Sequence, residues 1–387
     1  MPADNLPEAQ SRLIDDEPSQ SVKVSVLSSE KLASRRRWRH LSDKTAKVSI
    51  AVGGISVIVA ILLIFAYLFY EVVPLFAGAK VEEAASYDLQ DSSESLHLAI
   101  EEQSEMAMRL GDDGVARFFD LESGENAATI AVKVPSGATI TSFALDSEQS
   151  GLFALGLNTG EAVVARYAYD TRFAQLDNRR ILTPKIDYPF GEIPYTLAVD
   201  KPLASIALRT SGENMMLAAT ARGGELSLLK ASKQTSLFAA FDLGGGAEFE
   251  IEERRLSGMT LGGEQLFIDG DRFWLFVIDD EGLARLLSLR TAFTAPNPQF
   301  EVQALLTEGR ANPTDISFLL GGISLLVGDD QGAISQWFLT KRDDTVALEK
   351  IRSFQDSASP VVSLSPEQRR KSFVSVDAQG VISLFNT

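Results

Sequence analysis

The residues able to do chemistry in this chain are few, and their spacing serves little of it. There is no cysteine and there are two histidines, His40 and His97. A thiolate nucleophile, a Cys/His zinc site and a disulfide are therefore excluded together. A Ser-His-Asp arrangement outside the leader would rest on His97 alone, and no G-x-S-x-G elbow accompanies it. No G-x-x-x-x-G-K-[ST] occurs, so Gly244-Gly245-Gly246 reads as a loop and not as a phosphate cradle. The acidic clusters Asp112-Asp113, Asp269-Gly270-Asp271, Asp279-Asp280-Glu281 and Asp329-Asp330 are candidate calcium ligands or paired glycosidase acids. None has the ligand spacing of an EF-hand loop. They fall in recurring turns, where Asp stabilises the turn through its own backbone. The expectation is no catalytic residue, no metal and no cofactor, hence no enzyme.

Those turns point to the elements that must hold them. A polar turn ending in glycine, flanked by two short apolar runs, occurs six times, with the final glycines at Gly114, Gly160, Gly224, Gly282, Gly332 and Gly380. Apolar run, acidic turn with glycine, apolar run is the pattern of a tight β-hairpin, because the turn needs a residue tolerant of positive φ. The intervals between successive glycines are 46, 64, 58, 50 and 48 residues. That period matches four-stranded propeller blades of about 40–50 residues, with longer loops in the second and third intervals. Candidate strands precede several hairpins at similar distance, at 140–145, 204–208, 316–320 and 361–365. The expected fold is mainly β, a WD40-like propeller lacking the Trp-Asp dipeptide, with six recognisable blade hairpins and seven blades when complete. A β-sandwich fits the even spacing less well, and a β-helix would repeat at about 20 residues.

Ahead of the repeats lies one long apolar segment. Val48 to Tyr70 is an uncharged run of 23 residues, long enough as a helix to cross about 30 Å of hydrocarbon. It ends in Tyr67, Phe69 and Tyr70, followed by Glu71 and Pro74, an aromatic interface and a helix stop. Arg35, Arg36, Arg37, Arg39, Lys44 and Lys47 precede it, and the first basic residue after it is Lys80. The positive-inside rule makes the six an orientation signal, with the N-terminus cytoplasmic and the later domain outside. A cleaved signal peptide ending at Ala77-Gly78-Ala79 is disfavoured by the length of the run and of the leader. The domains expected are a disordered tail at 1–34, a basic juxtamembrane segment at 35–47, a membrane helix and its exit at 48–76, and a propeller at 80–387. The 387 residues carry a formal charge of −17, but residues 1–47 carry +2, leaving about −19 for the rest. Such a domain repels nucleic acid.

A basic leader, a helix ending in Tyr67–Phe76 (YLFYEVVPLF) and then a large propeller resemble the N-terminal part of PstC-type permeases of phosphate ABC transporters in their long gammaproteobacterial form. The resemblance implies a bacterial inner-membrane protein with a periplasmic propeller. It also implies membrane lipid, a sister permease subunit, an ABC ATPase and a periplasmic phosphate-binding protein as partners. Such permeases continue into further helices, which carry the ATPase contact, so the expectation is a truncated or split permease with an incomplete propeller. Conduction by one helix is excluded, since it cannot enclose a polar path. The expected role is docking or regulation of import, without phosphate binding, because the acidic domain raises the energy of a nearby anion. A membrane-anchored scaffold for envelope protein assembly is the alternative.

Overall fold

The computed structural model describes residues 29–76, 86–87, 92–175, 180–221, 223–233, 249–256, 259, 261–262, 264–343, 345–354, 358–367 and 369–387. Two compact units divide the chain, Met1–Val81 and Glu82–Thr387.

The first unit contains one helix, α1 (Ser29–Val72), closed by a short 3-10 turn at Val73–Phe76. Its Trp38–Val72 part is long and apolar enough to cross a membrane, and none of its most apolar stretch is buried by protein. Helix begins well before the apolar run, because Leu, Ala, Lys and Arg at 31–39 are good helix formers and no Pro or Gly interrupts them. Arg35 through Lys47 therefore continue the same helix, and Arg39, Lys44 and Lys47 lie exposed on it. Residues 1–28 lie outside the described residues.

The second unit is a six-bladed β-propeller. Blade 1 is β1 (Ser95–Ile100), β2 (Met106–Gly111), β3 (Val115–Asp120) and β4 (Asn126–Ala131). Blade 2 is β5 (Ile140–Leu145), β6 (Leu152–Leu157), β7 (Glu161–Phe173) and β8 (Arg180–Asp187), with the two-residue β9 (Tyr195–Thr196) added to β7. Blade 3 is β10 (Leu203–Ser211), β11 (Asn214–Ala221), β12 (Leu226–Lys233) and β13 (Phe249–Leu256). Blade 4 is β14 (Gln265–Ile268), β15 (Trp274–Ile278), β16 (Leu283–Ser288) and β17 (Val302–Leu305), with a one-turn helix α2 (Leu289–Thr294) after β16. Blade 5 is β18 (Pro313–Phe318), β19 (Ser324–Asp329), β20 (Ile334–Arg342) and β21 (Thr345–Phe354). Blade 6 is β22 (Val361–Pro366), β23 (Ser372–Asp377) and β24 (Ile382–Asn386), three strands where each of the others has at least four.

Every blade is an antiparallel meander, each strand paired with the next. The middle strands are apolar on both faces, as a sheet sandwiched between two others requires. In β19, Leu325 and Val327 face blade 4 while Leu326 faces blade 6, the period-2 alternation of a strand serving two cores. Five apolar clusters follow. Met108 and Phe118 pack on Phe153 and Leu155 between blades 1 and 2, and Ala154 and Val164 pack on Met215 and Leu217 between blades 2 and 3. Ala218 and Leu228 meet Leu275 and Val277, Phe276 and Leu286 meet Leu325 and Trp337, and Leu326 and Ile334 meet Val361 and Phe373. Among the described residues no such cluster joins blade 6 to blade 1.

One irregularity recurs. The innermost strands β1, β5, β10, β18 and β22 each carry a register shift after the first residue, between 95 and 97, 140 and 142, 203 and 205, 313 and 315, and 361 and 363. A bulge increases local twist and re-aims side chains, and here it sits where each inner strand meets its neighbour.

Candidate interaction surfaces

The six turn glycines share one geometry. All have positive φ, from +73° at Gly114 to +98° at Gly224, where a side chain would be strained. In each, the glycine N–H donates to the carbonyl three residues earlier, at 2.9–3.2 Å. In the last three blades that earlier residue is an aspartate, and its carboxylate accepts two more backbone bonds. Asp279 takes Glu281 N and Leu283 N at 3.2 and 2.8 Å, Asp329 takes Gln331 N and Ala333 N at 3.0 and 2.8 Å, and Asp377 takes Gln379 N and Val381 N at 2.9 and 2.8 Å. Two of the four acidic clusters, Asp279-Asp280-Glu281 and Asp329-Asp330, are thus parts of turn-forming Asx motifs, as is Asp377. A third, Asp269-Gly270-Asp271, behaves likewise, since Asp269 accepts from Phe273 N and Trp274 N at 2.8 and 2.9 Å, and in the fourth Asp113 accepts from Val115 N at 3.1 Å. Among the described residues no group of three or more His, Asp or Glu side chains could hold a metal ion.

Where the inner strands meet, polar side chains tie successive blades together. Thr141 donates to Leu203 O at 2.8 Å, and Ser205 accepts from Leu266 N at 3.2 Å. Asp315 accepts from Leu364 N at 2.6 Å. Burial pushes the Asp315 and Asp269 carboxyls above the usual carboxylate range, and the backbone donors facing them only partly offset that push. Thr141, Ser205 and Asp315 lie on or beside the bulges, so the same irregularity that bends these inner strands aims their bridging side chains.

The inner strands of blades 2 to 6 enclose a central cavity of about 570 Å³. Asp146, Glu148, Arg209 and Glu367 are its charged lining. Asp146 accepts from the Thr210 N–H and hydroxyl at 2.8 and 2.7 Å, while Arg209 donates to the Asp146 carbonyl. Polar groups at this rim are engaged with one another across the blade 2–3 junction, and three acids outweigh one arginine. A small anion is disfavoured here.

Sequence reasoning missed two charged groupings, because their members are far apart in the chain. His97 Nε2 lies 3.4 Å from Glu148 Oε1, its ring stacks on Phe143, and Tyr167 donates to Glu148 Oε2 at 2.9 Å. The Tyr167 hydroxyl is held well above its ordinary pKa, first by burial and then by the Glu148 charge. His97 is thereby a packing residue at the blade 1–2 junction, beside a glutamate and a tyrosine. Nearby, Arg180 grips Glu101 and approaches Glu105 at 3.4 Å. That guanidinium holds the Glu101 carboxyl below its usual range. Neither grouping has a local signature, since 79 residues separate Glu101 from Arg180.

Arg35, Arg36, Arg37, Arg39, Lys44 and Lys47, which the sequence reading takes as an orientation signal, all lie on α1, whereas the turn glycines all lie in the propeller unit. The Gly244-Gly245-Gly246 stretch lies outside the described residues.

No protein-family model matches the chain, and no curated protein matches it. Among solved structures it is similar to Chaetomium thermophilum Raptor, with 12% identity, 77% of this chain and 24% of that one covered, and a TM-score of 0.46. It is also similar to the β-propeller domain of Myceliophteria thermophila Cps50 (Swd1), with 12% identity, 76% and 87% covered, and a TM-score of 0.43. The chain thus spans about a quarter of the Raptor length.

Proposed function

We propose that this chain is a membrane-anchored docking module, a propeller carried on one membrane helix that binds other proteins and performs no chemistry of its own. The observation that carries this reading is a six-bladed propeller in which Asp279, Asp329, Asp377 and Asp315 bond the protein's own turns and blade junctions, together with one exposed apolar helix among the described residues. A fold of this kind offers rigid faces and loops to a partner.

The helix crosses a bacterial inner membrane in this reading. Arg35, Arg36, Arg37, Arg39, Lys44 and Lys47 rest on cytoplasmic lipid headgroups, and the propeller stands in the periplasm. The module serves a PstC-type phosphate permease, docking the sister permease subunit or the periplasmic phosphate-binding protein. The ABC ATPase is reached through other parts of that permease. Support comes from the exit sequence Tyr67–Phe76, the basic leader and the order of helix before propeller. The acidic rim of the cavity supports docking over substrate binding.

Affinity purification of the full chain from its own membranes in mild detergent tests this. The expected companions are permease and ATPase subunits of a phosphate transporter. A stable complex with outer-membrane assembly proteins in their place would contradict it. Calorimetry of the full chain in detergent should show no phosphate binding below millimolar concentration, and micromolar binding would contradict the docking role.

A further inference from the structure

The central cavity is built at one end of the propeller. Its lining residues all come from the inner strands β5, β10, β14, β18 and β22 or from the turns that follow them, at the end opposite the six glycine turns. The walls are apolar and aromatic: Phe143, Phe267 and Phe318 are half-buried, and Leu320 is 43% exposed. The rings of Phe267 and Phe318 meet edge to face, with centroids 6.3 Å apart. Asp146, Glu148 and Glu367 add three carboxylates. Asp146 is buried against Thr210, whereas the Glu148 and Glu367 side chains keep 30% and 42% of their surface. The cations nearest these two glutamates, His97 when protonated at 3.4 Å and Arg370 at 3.9 Å, stand outside the lining. Within the lining, Arg209 is engaged with the wall. It donates to the Asp146 carbonyl, and its guanidinium lies so close over Gly322 that a Cβ there would overlap it. Gly270 N donates to Gly322 O at 2.7 Å, which ties the turns of blades 4 and 5 together at the same place.

Carboxylates beside aromatic rings favour one kind of guest. A cation gains from the carboxylates and from the negative faces of rings within about 6 Å, and an anion loses on both counts. A volume of about 570 Å³ falls in the range of about 300–1,000 Å³ over which concave sites enclose a small guest. Gly270, Gly321 and Gly322 bring backbone without side chains to the lining, so an extended segment can approach it closely. We propose that this cavity is the docking site for a short segment of a partner protein that carries a lysine or arginine between apolar side chains. The basic side chain meets Glu148 and Glu367, and its apolar neighbours rest on Phe267, Phe318 and Leu320. A second copy of this chain fits less well, since it brings another domain of about −19 toward the same carboxylates. The inference rests on the docking role proposed above, for which it names the site and the chemistry of the partner, and it is independent of the transporter assignment.

The probes are two fluorescent six-residue peptides, acetylated and amidated, in which a frame of leucines surrounds a central pair of lysines or a central pair of glutamates. Each is added to the full chain in non-ionic detergent micelles, and anisotropy is read against protein-free micelles. The lysine peptide should bind saturably and at least tenfold more tightly than the glutamate peptide. Leu320→Lys, which sets a cation in the lining, should weaken lysine-peptide binding at least tenfold, and Glu367→Gln at least threefold. Both side chains are exposed, so either variant should keep the wild-type circular dichroism. The Leu320→Lys chain, isolated from its own membranes, should also retain less than a tenth of the companions that the wild-type chain brings down. Absence of saturable binding, equal affinity for the two peptides, or wild-type affinity in Leu320→Lys overturns the proposal. Companions retained in full by Leu320→Lys overturn it as well and leave the docking role standing. A wild-type chain that brings down no companion contradicts the docking role, and this inference with it.

Discussion

Asp315 shows how much one carboxylate does at a blade junction. It is pushed toward protonation by burial, yet it holds Leu364 N across to blade 6 and its own neighbour Ile316 N at 2.9 Å. Asp315→Ala should destabilise the propeller by about 1–3 kcal/mol by leaving a buried N–H unpaired, whereas Asp315→Asn keeps an acceptor and should cost well under half of that. Urea denaturation of the full chain in detergent, followed by tryptophan fluorescence, measures both. Equal losses would show that the charge, and not the acceptor, matters. Glu101 has the opposite shift, lowered by Arg180. Its contribution is therefore complete above the ordinary glutamate value near 4.5 and is lost as pH falls through the lower folded value. The stability gap between wild type and Glu101→Gln should be larger at pH 7 than at pH 3, and a gap unchanged with pH would contradict the pairing. The turn aspartates were legible from Asp-x-x-Gly spacing alone. Asp315 and Glu101 were not, because their partners come from other blades.

At the scale of elements, the glycine-ended turn is the repeating part that the sequence displays most openly. Gly160 combines φ +87° with a neighbour, Ala198 O, only 2.2 Å from where a Cβ would sit, while Gly137 has φ +82° and open space around it. Both substitutions to Ala should pay about 1 kcal/mol for the left-handed backbone. Gly160→Ala should lose at least a further 1 kcal/mol, because backbone must move. Denaturation midpoints of the two variants decide this, and equal midpoints would contradict it. The hairpins were readable because turn chemistry and alternation are local. The inner-strand bulges left no mark, since they answer to contacts with the next blade. Helix α1 begins at Ser29, ahead of the apolar run, because helix formation follows backbone propensity while the run follows hydropathy.

For the whole molecule, one long apolar helix and six blade hairpins follow from the periods in the sequence, an uncharged run of 23 residues and intervals near 50, whereas the sequence reading expects seven blades in a complete propeller and the structure describes six. What the periods do not convey is which side chains fill the junctions, where apolar clusters of described residues join five successive pairs of blades, because that depends on which face each strand turns outward. The central claim is that the helix places its basic flank and the propeller on opposite sides of a membrane. A chain without cysteine makes this directly measurable with single substitutions at two exposed sites, Ser42→Cys on α1 and Ser211→Cys at the end of β10. Cells with a permeabilised outer membrane are treated with a membrane-impermeant maleimide. The account predicts that Ser211→Cys is labelled in intact cells while Ser42→Cys is labelled only after lysis. Labelling of Ser42→Cys in intact cells, with Ser211→Cys protected until lysis, would contradict it.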